Sequence, residues 1–317
     1  MFRRVLVLCV LASLVAAPAA FADGPMPFAV QDASGVLSPD GSLRYLALNA
    51  GANTILAEMN TKDGTLHNET NLLGSYGIPT IVAGGPGAGL SPDGRTLVVG
   101  NTDLETPSRF LVYDTRTLRM KNAILLRGSF AFDALSPDDS RLYLIQHTLV
   151  RSGDFSHYVV RAYDLRTSRL LPGRIADRTQ KSWVMNGYPL TRTTSADGRW
   201  VYTLYQNGGD GYPFVHALDT VRGVAHCIGV PLGGQGGIYN LVLSLRGGGR
   251  TLAVHWKSGR PWLEVNTATW RIAYAQPGGS PWRWTGTGVG GTLALAAAAL
   301  LLRRRREAGG PVSAPAV

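Results

Sequence analysis

One short tetrad recurs along this chain, and its recurrence limits the possible folds more than any other feature. Ser38-Pro39-Asp40-Gly41 returns as Ser91-Pro92-Asp93-Gly94, as Ser136-Pro137-Asp138-Asp139 and as Ser195-Ala196-Asp197-Gly198, and a degenerate fifth copy is expected to begin at Ser244. The serines recur every 45 to 59 residues, a spacing that belongs to architectures built from one repeated supersecondary unit. The tetrad is turn chemistry. Proline presets φ at the first central position, aspartate suits the second, and glycine accepts positive φ as the chain reverses. A short run rich in β-branched and aromatic residues follows each turn: Arg95-Thr96-Leu97-Val98-Val99, Arg141-Leu142-Tyr143-Leu144-Ile145, Arg199-Trp200-Val201-Tyr202-Thr203 and Arg250-Thr251-Leu252-Ala253-Val254. Such runs read as strands.

A second recurrence lies roughly twenty residues beyond each turn: Tyr113-Asp114-Thr115, Tyr163-Asp164-Leu165 and Leu218-Asp219-Thr220, with looser copies at Met59-Asn60-Thr61 and Val265-Asn266-Thr267. An Asp or Asn that closes a strand bonds backbone amides a few residues on and starts the next reversal. Each unit therefore reads strand, tetrad turn, strand, loop, strand ending in Asp or Asn, turn, strand. Four antiparallel strands make too small a sheet to stand alone, whereas several sheets packed radially cover both faces of each. Hydrophobic content of 45% is ample for such cores, and no amphipathic helix of ten or more residues is evident before Gly286, which argues against α/β folds.

These residues resemble the WD-type and YVTN-type β-propeller repeats of bacterial exported proteins, over about residues 27 to 278. The resemblance implies an all-β chain, a β-propeller of about five four-stranded blades, or six if Thr61 to Gly89 contains further strands. No copy ends in a Trp-Asp dipeptide. Propellers host enzymes, receptors and scaffolds alike, so the resemblance implies an architecture and not an activity.

The ends of the chain carry different information. Residues 1–22 read as a signal peptide, with Arg3 and Arg4 before the apolar run Val5 to Ala17 and Ala20-Phe21-Ala22 as a cleavage site. Cys9 would leave with it, and Cys227, then the lone cysteine, is expected to be a buried small hydrophobe on a strand. The propeller domain is assigned to residues 23–275 and a linker to 276–285. Gly286 to Leu302 is a 17-residue stretch without a charge; at ~1.5 Å per residue it would reach roughly 26 Å, close to the ~30 Å of a bilayer's hydrocarbon core. Trp282 and Trp284 precede it and Arg303 to Arg306 follow it, an arrangement that predicts one C-terminal transmembrane helix with the propeller extracytoplasmic and the tail 303–317 cytoplasmic. Such ends also resemble cell-wall sorting tails, but Trp282-Arg283-Trp284-Thr285-Gly286 matches the sorting signal only at its last two positions.

Of the net charge of +10, the ends account for half, and the remaining +5 on residues 23 to 302 is too dilute to point to nucleic acid. Histidines 67, 147, 157, 216, 226 and 255 contain no i, i+4 pair, and no Gly-x-Ser-x-Gly elbow occurs, so no metal, no cofactor and no catalytic residue is predicted. The clusters Gly84-Gly85-Pro86-Gly87, Gly233-Gly234-Gln235-Gly236-Gly237 and Gly247-Gly248-Gly249 lack the Lys-Ser/Thr of a phosphate loop. Propeller topology puts loops joining second to third strands, and each blade to the next, on one face. There the reading places Asn101, Asp103, His147, His157, Asn207, Asp210, Tyr212, His255 and Trp256 as candidate ligand-binding residues, with Glu105, Lys257, Trp183, Asn186, Tyr188 and Tyr239 beside them. Aromatic, amide and charged groups together suit a protein or cell-envelope partner, peptide or glycan. The expected function is a membrane-tethered binding or scaffolding module. The alternative is a propeller hydrolase or lactonase acting on an exported small substrate, drawing on Asp103, Glu105 and Asp210.

Overall fold

The computed structural model describes residues 28–32, 34–102, 107–148, 157–179, 185–206, 213–230, 237–274 and 282–283. After a short strand β1 (Phe28–Val30), the chain folds into five antiparallel sheets in sequence order. The first holds β2 (Val36–Leu37), β3 (Leu43–Ala50), β4 (Asn53–Asn60) and β5 (Leu66–Leu73); the second holds β6 (Tyr76–Thr80), β7 (Thr96–Asn101), β8 (Ser108–Asp114) and β9 (Arg119–Leu126). The third contains β10 (Ser129–Leu135), β11 (Arg141–Thr148), β12 (His157–Asp164) and β13 (Arg169–Leu170), and β14 (Met185–Asn186) also pairs with β12. The fourth is β15 (Pro189–Thr194), β16 (Trp200–Tyr205), β17 (Phe214–Asp219) and β18 (Val224–Gly229). The fifth is β19 (Leu241–Arg246), β20 (Thr251–Trp256), β21 (Pro261–Asn266) and β22 (Ile272–Tyr274), with β23 (Trp282–Arg283) on its outer edge. Strand β1 adds to the inner edge of the second sheet by pairing with β6.

Four reversals from first to second strand are the tetrads, and they share one hydrogen-bond pattern. In each, the serine hydroxyl donates to the aspartate two residues on, at 2.6 Å for Ser38, 2.6 Å for Ser91, 2.7 Å for Ser136 and 2.5 Å for Ser195. The same serine oxygen accepts the backbone N–H five residues on, at 2.9, 2.9, 2.9 and 2.8 Å respectively. Serine is thus the staple that closes the hairpin, and glycine or Asp139 supplies the left-handed residue. The fifth reversal departs from expectation. Ser244 lies within β19 opposite Ala253, and the turn is made by Gly247, Gly248 and Gly249, with φ of 59°, 65° and 86°. All five Asp or Asn residues of the second recurrence end a third strand, and Asp219 Oδ1, for example, accepts the N–H groups of Val221 and Arg222 at 3.0 and 2.9 Å. The stretch from Thr61 to Gly89 supplies β5 and β6, the last strand of one sheet and the first of the next, and not a sixth blade.

Period-two alternation sends successive residues of each middle strand into different seams. On β11, Leu142 and Leu144 join the core shared with the second sheet, while Tyr143 and Ile145 join that shared with the fourth. On β16, Val201 and Tyr205 face the third sheet and Tyr202 and Leu204 the fifth. Four apolar clusters fill the seams between sheets one and two, two and three, three and four, and four and five. Five four-stranded sheets stacked side by side in chain order, the second to fourth packed on both faces, are consistent with the blades of a β-propeller.

The expected signal peptide (1–22), the apolar stretch 286–302 and the tail 303–317 lie outside the described residues. Among the described residues no helix is long and apolar enough to cross a membrane.

Candidate functional site

The loops opposite the tetrad turns gather their side chains at the junction of the fourth and fifth sheets. A single 3₁₀ turn, Ile238–Asn240, leads into β19 from Gly237, whose φ of 98° only glycine adopts readily. An added Cβ at Gly237 would lie 2.9 Å from the Trp256 ring, so the turn rests directly on that indole. It carries Tyr239, 52% exposed. The Tyr239 and Tyr188 hydroxyls are hydrogen-bonded to each other, their rings stack at 6.3 Å, and the Tyr239 hydroxyl donates to Gln206 Oε1 at 3.0 Å. The Arg260 guanidinium sits over Trp256, 5.4 Å from its ring centre, and Trp262 meets that ring edge-on at 5.8 Å. The indole N–H groups of Trp256 and Trp262 are buried without a hydrogen-bond acceptor among the described residues.

The predicted residues divide accordingly. Trp256 lies in this aromatic patch, and the His255 ring is 3.1 Å from the Trp256 carbonyl. Asn101 ends β7 and is spent on structure, its Oδ1 accepting the Arg109 N–H at 2.7 Å. His147 and His157 are brought onto neighbouring strands but not together. His147 stands opposite Tyr158 and His157 opposite Thr148, so the two rings project to opposite faces of the third sheet. Burial lowers the His147 pKa to about 4, which keeps the ring neutral, and its ring centre lies 6.1 Å from that of Tyr158. Asp103, Glu105, Trp183, Asn207, Asp210 and Tyr212 lie outside the described residues. Among the described residues no group of three His, Cys, Asp or Glu is placed to hold a metal ion.

A second polar cluster lies within the seam of the third and fourth sheets, where sequence reasoning had not placed one. Asp133 occupies a β-bulge between Phe132 and Ala134, and bulges re-aim side chains. It is 2% exposed. Arg192 of β15 donates to Asp133 Oδ1 at 2.7 Å, to the Asp133 carbonyl at 2.5 Å and to Thr203 Oγ1 at 3.3 Å. Asp133 Oδ2 and the nearby His216 Nε2 are buried without partners among the described residues. Burial lowers the His216 pKa to about 4. The visible signal was an acid interrupting the apolar run Phe130-Ala131-Phe132-Asp133-Ala134-Leu135. Cys227 is partly buried on β18, opposite His216; burial first, and then the Asp177 carboxylate, raises its thiol pKa well above the ordinary value, so it stays a thiol. Its Sγ lies 3.7 Å from His216 Nδ1.

No protein-family model and no curated protein matches this chain. Similar solved structures include the β-propeller domain of Cps50 (Swd1) from Myceliophteria thermophila, with 10% identity and a TM-score of 0.44 over 80% of this chain and 68% of that one. An uncharacterized protein from Listeria monocytogenes shows 12% identity and a TM-score of 0.44, covering 80% of this chain and 63% of that one. TolB from Acinetobacter baumannii shows 16% identity and a TM-score of 0.40, covering 75% of this chain and 52% of that one. Likeness at this level assigns no function. The propeller assignment rests on the five sheets and the seams between them.

Proposed function

We propose that this protein is a membrane-tethered, extracytoplasmic binding or scaffolding module that engages a protein or cell-envelope ligand on its loop face. The observation that carries the reading is the aromatic patch at the fourth and fifth sheets. There a half-exposed tyrosine, a tyrosine hydroxyl pair and a cation-covered indole share one surface. Aromatic rings present stacking area at low conformational cost, and the adjoining Gln206 and Arg260 supply hydrogen bonds that orient a polar ligand. The tether is the charge-free stretch from Gly286 to Leu302 before the arginine cluster.

The test is co-sedimentation of the full chain with wall and membrane fractions of its source cells, beside the Tyr188→Ser, Tyr239→Ser double variant. A loss of binding of about thirtyfold or more is expected, in line with about 2–3 kcal/mol at an aromatic anchor. Equal sedimentation of the variant refutes the patch. Arginines 303 to 306 cut by protease added outside intact cells would refute the tether.

A further inference from the structure

Strands of the first, third and fourth sheets, the segment joining β6 to β7 in the second and Lys257 in the turn after β20 of the fifth line a cavity of about 580 Å³ in the central channel, a volume within the ~300–1,000 Å³ of small-molecule sites. The tetrad turns pinch it at one end. A Cβ added to Gly198 of the fourth sheet would stand 2.1 Å from Pro92 Cγ of the second, and one added to Gly94 would stand 2.9 Å from Pro39 Cδ of the first. Proline rings meeting glycines in this way narrow the bore, which suits a small molecule and not a polymer threaded through.

The lining specifies what such a molecule carries. Its ionisable side chains are Asp133, Arg192 and Lys257. The first two neutralise each other at 2.7 Å, and Lys257 takes part in no ion pair among the described residues. Among the described residues the lining therefore carries one uncompensated positive charge, a match for a carboxylate; a phosphate monoester, at about −1.5 to −2, would leave charge unpaired. Asp133 Oδ2 is buried and has no donor among the described residues. An ionised carboxylate only accepts hydrogen bonds, so a ligand that engages Asp133 Oδ2 needs a donor, which its own carboxylate lacks. Ile81, Phe132 and Leu190 complete the wall with apolar surface.

We propose that the channel pocket binds a small hydroxycarboxylate with an apolar body. Lys257 pairs with the carboxylate, the Asp133–Arg192 wall takes the hydroxyl, and Ile81, Phe132 and Leu190 cover the body. The pocket shares no residue with the aromatic patch, so either assignment can fail while the other stands.

Isothermal calorimetry on the detergent-solubilised full chain tests this with three probes of one shape: mandelate, phenylacetate without the hydroxyl, and 1-phenyl-1,2-ethanediol without the carboxylate. Mandelate is expected to bind saturably and the other two at least about tenfold more weakly, each having lost one polar contact. Lys257 is exposed, so Lys257→Met is expected to fold, with a parental circular dichroism spectrum as the check, and to weaken mandelate about tenfold or more while leaving the diol unchanged. Absence of saturable mandelate binding up to about 10 mM, equal binding of the diol, or unchanged binding by Lys257→Met overturns the proposal.

Discussion

Arg192→Met tests the logic of the third seam at its most sensitive point. The guanidinium makes two bonds to Asp133, one to the carboxylate and one to the carbonyl, and the Asp133 side chain is only 3% exposed. Methionine replaces the stem's packing but leaves the carboxylate charged, desolvated and alone. Breaking a buried pair from one side costs about 3–5 kcal/mol. For a domain of this size each kcal/mol moves the melting temperature by ~2–4 °C, so a fall of roughly 6–20 °C is expected. Removing both charges, in Asp133→Leu with Arg192→Met, deletes the desolvation cost together with the attraction and is expected to restore the stability to within about 1 kcal/mol of the parent. Urea unfolding of the four proteins closes the cycle, with a coupling of about 2 kcal/mol or more. A loss below about 1 kcal/mol in Arg192→Met, or a double variant as unstable as the single, would refute the claim that the pair is a closed electrostatic unit.

Further outcomes follow from the same geometry. His147 and His216 have pKa values lowered by burial to about 4, so between the ordinary 6.5 and 4 the unfolded chain binds protons that the folded chain refuses. Stability is therefore expected to fall as pH drops from 6.5 towards 4, and His147→Gln with His216→Gln to flatten that slope; urea midpoints at three pH values read it, and an unaltered slope counts against it. Asp138, held near 2 mainly by the Ser136 hydroxyl, has the depressed value of a carboxylate bonded in its ionised form. It contributes stability above pH 3.8 that disappears as pH falls towards 2, and Ser136→Ala should blunt that acid limb of the unfolding profile. Gly198→Ala and Gly41→Ala share positive φ, of 69° and 72°, but only the former drives a Cβ into Pro92. Scanning calorimetry should find Gly41→Ala lower by about 1 kcal/mol and Gly198→Ala lower by a clearly larger amount; equal losses would mean the turn face is not close-packed. Ser91, 2% exposed, accepts the Thr96 N–H, and its change to alanine is expected to cost about 1–3 kcal/mol in chemical denaturation.

The architecture was legible because its signals are local. A tetrad closes its own hairpin through the serine and aspartate beside it, and an Asp or Asn that ends a strand bonds amides two or three residues on, so neither depends on distant parts of the chain. The fifth repeat was misplaced for the same reason. Ser244 has neither the proline nor the aspartate that makes the serine a staple, and three glycines turn the chain instead. The site was less legible. Asp133 and Arg192 are 59 residues apart, and only a bulge and a seam bring them together. Tyr188 and Tyr239, 51 residues apart, were visible as loop aromatics, but their pairing depends on how the fourth sheet abuts the fifth. His147 and His157 were placed on one loop face by their positions in the chain, yet strand register projects their rings to opposite faces of the third sheet.

Strand β1 belongs to the second sheet although the first sheet follows it in the chain. It lies so close over β6 that a Cβ on Gly77 would stand 2.5 Å from the Val30 nitrogen. Residues 34 to 73 are thereby looped out between two lengths of polypeptide fastened to the same neighbour. During synthesis the earliest strand must wait for β6 to emerge before it finds its place, so the opening blade is sealed only once the next one has begun. A nick at the Gly51-Ala52 hairpin would release neither fragment, because each half stays clasped by the second blade.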